Sequence, residues 1–323
     1  MQHTRDKIPV VVILGPTATG KSDLAVFLAQ KFNGEVVSAD SRQVYRGLDI
    51  GSGKITKREM GAVPHYMIDI ASPKRTISAA QYRVQAQKAI QKIAKKNKLP
   101  ILCGGSGFYI DAVLDNISLS PVPPNPRLRK KLSQQPIEKL YEILQTLDPK
   151  HAEKIDRKNP RRVVRALEIV NAQGKVVSLK TREHLYETVF IGLTLPKEQL
   201  AEKIRMRLRK RFKQGMVNEV KHLHADGVSW QRLESLGLEY REIAKYLQKK
   251  MGLSEMKQHL EIAIRQFSKR QMTWFKRNKN IQWFAPDERE KISDIVAHFL
   301  DKRMVAFYDT KARMTKDTVP SHL

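Results

Sequence analysis

Apolar residues form short unbroken runs through the first third of the chain and spread into helical spacing through the rest. Val10–Leu14 and Leu99–Cys103 have the length of buried strands, and Glu35-Val36-Val37-Ser38-Ala39 is a third such run, ending at Asp40. Between them, Ser22–Lys31 and Ser78–Lys96 read as helices. On the second, Tyr82, Ala86, Ala89, Ile90 and Ile93 share one face, and lysines crowd the other. Short apolar strands alternating with helices predict an α/β fold whose parallel sheet is covered by helices.

Pro121-Val122-Pro123-Pro124-Asn125-Pro126 interrupts this alternation and predicts a stiff linker. Beyond it the pattern is helical and basic: Arg127–Leu132, Ile137–Leu147, and a helix opened by Asn159-Pro160-Arg161 that runs through Glu168. Thr188–Leu195 is β-rich and apolar, which returns the chain to the sheet. The expected organisation is an α/β core of residues 1–119 and 186–323, with a helical insertion domain over 120–185. Helices are then predicted over Leu200–Gln214, Met216–Ala225, Tyr240–Lys250 and Ser254–Lys276. A short strand, Ile281–Phe284, and a helix over Lys291–Lys302 follow, and the aperiodic tail after Lys311 is expected to be mobile.

The first strand runs into Gly15-Pro16-Thr17-Ala18-Thr19-Gly20-Lys21-Ser22, with a helix directly behind it. G-x-x-x-x-G-K-[ST] in that context is a phosphate-binding loop, so the sheet is expected to be P-loop NTPase-like. Its glycines let several backbone N–H groups aim at one anion, and the helix N-terminus adds positive potential. Lys21 would reach terminal phosphate oxygens, and Ser22 a bound Mg²⁺. Asp40, at the carboxyl end of the second strand, is placed to hold Mg²⁺, to act as a base, or to cap the following segment; position alone leaves all three open. Gly104-Gly105-Ser106-Gly107 would admit a ligand close to the backbone, although a tight turn needs glycine as well.

Charge narrows the partner. Among 323 residues, Lys and Arg number 60 and Asp and Glu 33, a formal charge of +27. So large an excess favours a polyanion, nucleic acid above all. No stretch approaches transmembrane length, so no membrane partner is expected, and the first seven residues lack the apolar core of a signal peptide. The single cysteine, Cys103, excludes an intramolecular disulfide and a multi-cysteine zinc site. The expected compartment is the cytoplasm. Cys103 itself reads as a buried strand residue. Two helices carry dense cations: Arg205, Arg207, Arg209, Lys210 and Arg211 on one, and Arg265 to Arg277 interleaved with aromatics on the other. On the latter, Phe267 and Trp274 are expected in the core as i, i+7 neighbours.

Taken in order, these motifs resemble one family. They comprise Gly15–Ser22, Ser38-Ala39-Asp40-Ser41 with Gln43-Val44-Tyr45, Arg46-Gly47-Leu48-Asp49-Ile50-Gly51, Val63-Pro64-His65 with Ile68-Asp69, and Ser78-Ala79-Ala80. Gly104-Gly105-Ser106-Gly107-Phe108-Tyr109, Asn159-Pro160-Arg161-Arg162 with Arg165-Ala166-Leu167-Glu168, and Lys269-Arg270-Gln271 with Thr273-Trp274-Phe275 complete the series. The chain resembles the tRNA dimethylallyltransferases, also called tRNA isopentenyltransferases. With one cysteine and hence no zinc finger, the resemblance implies the bacterial type.

The resemblance implies transfer of a dimethylallyl group from dimethylallyl diphosphate to N6 of the adenosine adjacent to the anticodon. Gly15, Pro16, Thr17, Ala18, Thr19, Gly20, Lys21 and Ser22 would hold the diphosphate, with Mg²⁺ at Ser22. Asp40 would accept the amine proton, and Thr17, Lys21 and Arg207 would stabilise the leaving group. Asp40, Ser41, Arg42, Gln43 and Ser106 would meet the tRNA anticodon stem-loop, as would Arg129, Arg161, Arg162, Val163, Val164 and Arg165. A monomer is expected. His65 reads as a hydrogen-bonded histidine near a turn. The chain departs from the family pattern at Ser106 (usually threonine), at Ser52-Gly53 (usually Thr-Ala), at Arg211 (often methionine) and in Leu236–Arg241. Three other readings stand beside this one: an adenylate isopentenyltransferase acting on free nucleotide, a P-loop kinase of a small metabolite, and a non-catalytic RNA-binding protein.

Overall fold

A computed structural model of the chain describes residues 7–115, 119–120, 122–176 and 185–316, with side chains as far as Lys302. Two compact units emerge: residues 1–113 with 185–323, and residues 114–184.

The first unit opens with β1 (Ile8–Leu14), α1 (Lys21–Lys31), β2 (Gly34–Ser38), α2 (Lys57–Met60), β3 (His65–Tyr66), α3 (Ala79–Ala94), β4 (Leu99–Gly104) and α4 (Gly107–Leu114). The second unit holds α5 (Pro126–Leu132), α6 (Ile137–Leu147), α7 (Pro149–Ala152) and α8 (Pro160–Gln173). The chain then returns through β5 (Tyr186–Leu193), α9 (Lys197–Lys213), α10 (Met216–Ala225), α11 (Trp230–Leu236), α12 (Leu238–Leu247), α13 (Leu253–Phe275), β6 (Ile281–Phe284) and α14 (Arg289–Lys316).

All six strands are parallel, in the spatial order β3-β2-β4-β1-β5-β6. Val11 of β1 sits opposite Ile101 of β4, which in turn faces Val36 of β2. After β1 the chain moves toward one edge of the sheet, and after β4 it moves toward the other. The carboxyl ends of β2, β4 and β1 are thus neighbours at a topological switch point, where open α/β sheets place their ligands. Gly104 permits the close approach there, since a Cβ on it would lie 2.1 Å from the carbonyl oxygen of Ala39.

Continuous burial of β1, β2 and β4 follows from cover on both faces. Ile13, Val36, Ile101 and Ile191 pack with Leu24 and Leu28 of α1 and with Ile292 and Val296 of α14. Each such fully buried aliphatic contributes about 1.5–3 kcal/mol. Helix α14 also corrects an expectation: residues 311–316 are helical, so the aperiodic tail begins inside a helix, while 317–323 lie outside the described residues. No helix among the described residues is long and apolar enough to cross a membrane.

The second unit has its own core of Leu140, Leu144, Ala152, Val163, Ala166, Leu167 and Val170. Pro121 of the predicted linker lies outside the described residues; its last proline, Pro126, is the first residue of α5, with Asn125 as N-cap. Glu168 is 1% exposed on α8. Arg129 grips it with two bonds (Nε to Oε1 at 3.0 Å, Nη2 to Oε2 at 2.8 Å), while Arg165 and the Asn125 N–H complete its shell.

Candidate active site

The Gly15–Ser22 segment joins β1 to α1 as a loop closed on itself. Thr19 Oγ1 donates to the Pro16 carbonyl at 2.9 Å, and Lys21 Nζ donates to the same oxygen at 2.6 Å. Burial lowers the Lys21 ammonium from 10.5 to about 8; Arg207 adds to that, while Cys103 and Asp40 oppose it. The lysine is therefore a cation short of counter-charge, held against the loop's own Pro16 carbonyl.

Asp40 follows β2, one strand beyond β4. Its Oδ1 accepts the N–H groups of Arg42 at 2.8 Å and Gln43 at 3.3 Å. No donor among the described residues engages its Oδ2. One oxygen thus fixes the carboxylate, and the other is available to a ligand. The same carboxylate is an electrostatic neighbour of Lys21, Arg42 and Arg207. Ser106, just past β4, accepts the Ser41 N–H on its Oγ at 3.0 Å, and its own N–H bonds the Ala39 carbonyl at 3.1 Å. Its hydroxyl ties the Asp40 segment to the β4 loop. Gln43 meets Ser38 Oγ and, at 3.4 Å, the Gly53 carbonyl.

Arg207 comes from α9. Nη1 donates to Thr17 Oγ1 at 3.2 Å and Nη2 to the Gly53 carbonyl at 3.2 Å. Burial, with Arg211 behind it, brings its guanidinium from 12.5 down to about 10. Arg205, Arg209 and Lys210 on the same helix are exposed, so a single face of α9 addresses the loop.

Gln271 of α13 had no role assigned from the sequence, yet it braces the site. Its Oε1 accepts the Thr17 N–H at 2.9 Å, and its Nε2 donates to the Gly105 carbonyl at 2.8 Å. The signal was present: the buried face of α13 runs Met256, Leu260, Ile264, Ser268, Gln271, Phe275, and a glutamine at a core position needs partners. That face also corrects the expected packing of α13. Phe275 is in the core, whereas Phe267 and Trp274 are only half-buried. Trp274 Nε1 donates to Asp111 at 2.9 Å, and Arg277 stacks on its ring at 3.9 Å.

Cys103 is buried with its thiol pushed up to about 12, so it offers no nucleophile. His65 bonds the Val63 carbonyl through Nδ1 at 2.9 Å. In the second unit, Arg161 and Arg162 are exposed on the first turn of α8. Val163 is a correction: it is 0% exposed in that unit's core, so its side chain cannot meet RNA. Arg129 and Arg165 are already paired with Glu168, and Val164 packs against the same core.

The loop, the half-buried Arg207 and an unengaged Asp40 oxygen form an arrangement that can hold an anion and accept a proton beside it. A family model described as IPP transferase matches residues 43–278. The chain belongs to the IPP transferase family. This transferase is 38% identical over 311 residues to a tRNA dimethylallyltransferase of Bacillus mycoides (strain KBAB4), covering 94% of this chain and 98% of the relative. Its fold is similar to the full-length tRNA isopentenylpyrophosphate transferase of Bacillus halodurans, with a TM-score of 0.71 at 34% identity, over 94% of this chain and 100% of that one. A eukaryotic dimethylallyltransferase solved acting on tRNA matches with a TM-score of 0.71 at 26% identity, over 83% of this chain and 70% of its own.

Proposed function

We propose that this transferase moves the dimethylallyl group of dimethylallyl diphosphate onto N6 of the adenosine adjacent to the anticodon in tRNA, releasing diphosphate. It is proposed to work as a cytoplasmic monomer. The observation that carries this reading is the joint placement of Asp40 Oδ2, free of any donor among the described residues, and the Thr17–Arg207 contact at the ends of the two strands that flank β4.

In this reading the loop N–H groups, Lys21, Thr17 and Arg207 hold the diphosphate. As the allylic C–O bond breaks, its electron pair moves onto the departing diphosphate, where these donors meet the developing charge. The N6 lone pair forms the new C–N bond, and Asp40 Oδ2 takes the amine proton. Ser41, Arg42 and Gln43 line the pocket for an adenosine that has left its stack, at a cost of a few kcal/mol. Phosphate contacts from exposed cations, Arg161 and Arg162 among them, offset that cost.

A divalent ion fits the donors present. Ser22 stands half-buried on the first turn of α1, and its hydroxyl makes no hydrogen bond among the described residues. Among those residues no group of three or more His, Cys, Asp or Glu could hold a metal unaided. Mg²⁺ takes much of its shell from phosphate and water. Bound at Ser22 and the diphosphate, it would supply positive charge against the leaving group.

Incubating the protein with labelled dimethylallyl diphosphate and an unmodified anticodon stem-loop, then analysing nucleosides by mass, tests the reading. N6-dimethylallyladenosine at one position is expected. Modification of free AMP or ADP but not RNA, or ATP turnover without RNA, would replace it.

A further inference from the structure

Arg207 has a neighbour with no assigned task. Arg211 lies four residues on along α9, one helical turn away on the same face, and is 7% exposed. Its Nη1 donates to Glu239 Oε1 at 3.0 Å and to the Gly51 carbonyl at 3.2 Å. Glu239 is itself 8% exposed; burial raises its carboxyl, and Arg211 opposes that rise.

Both guanidinium groups crowd into the space where residue 53 lacks a side chain. A Cβ on Gly53 would stand 1.7 Å from Arg211 Nη2 and 2.3 Å from Arg207 Nη2, and Gly53 has φ +60°. The two cations therefore share one slot. Their bonding is unequal: Arg211 is locked to a carboxylate, whereas Arg207 bonds only a hydroxyl and a carbonyl. No carboxylate lies within ion-pair distance of Arg207 among the described residues. Like charges one turn apart repel, and Arg211 is the second cause, after burial, of the lowered Arg207 guanidinium. Arg211 is held at Glu239 and Gly51, and Arg207 bonds Thr17 and Gly53.

We propose that Arg211, neutralised by Glu239 and admitted by Gly53, is a positioning residue that sets the Arg207 guanidinium against the phosphate loop. Arg207 then keeps its charge for the incoming diphosphate. The three positions involved are also places where the sequence departs from the family resemblance, at Gly53, at Arg211 and within Leu236–Arg241. The inference rests on the proposed diphosphate site, but not on the identity of the group transferred.

The test is a double-mutant cycle on the full chain, read as the dissociation constant for inorganic pyrophosphate with Mg²⁺. Arg211→Met with Glu239→Gln removes the pair without orphaning a buried charge. Loss of about fivefold in pyrophosphate affinity is expected, with tRNA affinity within twofold of the parent. In an Arg207→Ala background the same pair of substitutions should change pyrophosphate affinity by less than twofold, because Arg211 acts only through Arg207. Equal losses in both backgrounds, or no loss in the first, would overturn the proposal. Should that variant fail to fold, Arg211→Lys, which keeps a cation beside Glu239 but loses the planar fork, supplies a second line. It should weaken pyrophosphate binding with Arg207 present and leave it unchanged once Arg207 is alanine; loss in both backgrounds counts against the proposal. A parent protein that binds pyrophosphate but never alkylates RNA would refute the transfer reaction and leave this cycle to be judged on its own.

Discussion

Gln271 and Thr17, 254 residues apart in the chain, are joined by a single hydrogen bond of 2.9 Å from the Thr17 N–H to the glutamine Oε1. The other end of that amide holds Gly105, so one side chain spans the loops that follow β1 and β4. The geometry of the two loops is therefore set by α13 as well as by the strands that carry them.

Replacing Gln271 with alanine should leave a half-buried N–H and a buried carbonyl without partners, at about 1–3 kcal/mol for the carbonyl and less for the N–H. The phosphate loop would also lose its brace. A fall of about 10- to 100-fold in kcat/KM for dimethylallyl diphosphate is expected, together with a lowered unfolding midpoint. Turnover at the parental rate would show that the loop holds its shape unaided.

Asp40→Asn keeps an oxygen for the Arg42 and Gln43 N–H groups but cannot take up the amine proton. Transfer should drop by about 10²- to 10⁴-fold, with the fold and tRNA affinity retained. Filter binding alongside single-turnover transfer checks both; equal rates in mutant and parent would remove Asp40 from proton acceptance.

The lowered Lys21 predicts a pH dependence of donor binding. In the free protein the ammonium loses its proton near pH 8, because burial disfavours the charged form. A bound diphosphate favours that form and raises the pKa, so binding takes up a proton wherever the free lysine is neutral. Affinity for dimethylallyl diphosphate should thus be level between about pH 7 and 8 and decline as the pH rises through about 8, by up to tenfold per pH unit. The donor's own terminal phosphate titrates lower, at about 6, and does not confuse the reading. Calorimetry in two buffers of different ionisation enthalpy should detect the uptake at pH ~8.5, and Lys21→Met should abolish it.

Arginines of the second unit divide into two groups. Arg161 and Arg162 are exposed, so Arg161→Ala with Arg162→Ala should reduce the salt slope of tRNA binding by about one to two. Arg129 and Arg165 grip the buried Glu168, so alanine at either should destabilise the unit by about 1–3 kcal/mol. Their effect should appear in unfolding curves and leave the salt slope nearly unchanged. The reverse pattern would mean that the Glu168 clamp opens to RNA.

Strand, turn and first helical turn made Gly15–Ser22 legible without coordinates, because the chemistry of that loop is carried by contiguous backbone. Asp40 and the β4 glycines were legible as strand-end residues for the same reason. Their separate tasks were not, since capping, proton acceptance and metal binding all suit a strand-end carboxylate. Only the hydrogen bonds of Oδ1, and the freedom of Oδ2 among the described residues, distinguish the atoms. Among the cations of α9, helical period alone could not say which face meets the loop. On α13 the core stripe lies one residue from where aromatic spacing placed it, because Trp274 turns to Asp111 while Phe275 packs inward. In the second unit, Val163 reads as part of a basic recognition helix until its own core is seen.

By itself, then, the order of residues determined the α/β class, the phosphate loop and the polyanionic character of the partner, since each follows from local period, local backbone geometry or summed charge. Tertiary structure alone decided that Gln271 braces Thr17, that Arg207 faces the loop while Arg211 is held by Glu239, and that Arg129 and Arg165 serve Glu168. Those pairings depend on which distant elements pack together, and a side chain's hydrogen-bond partner is not written in its own neighbourhood.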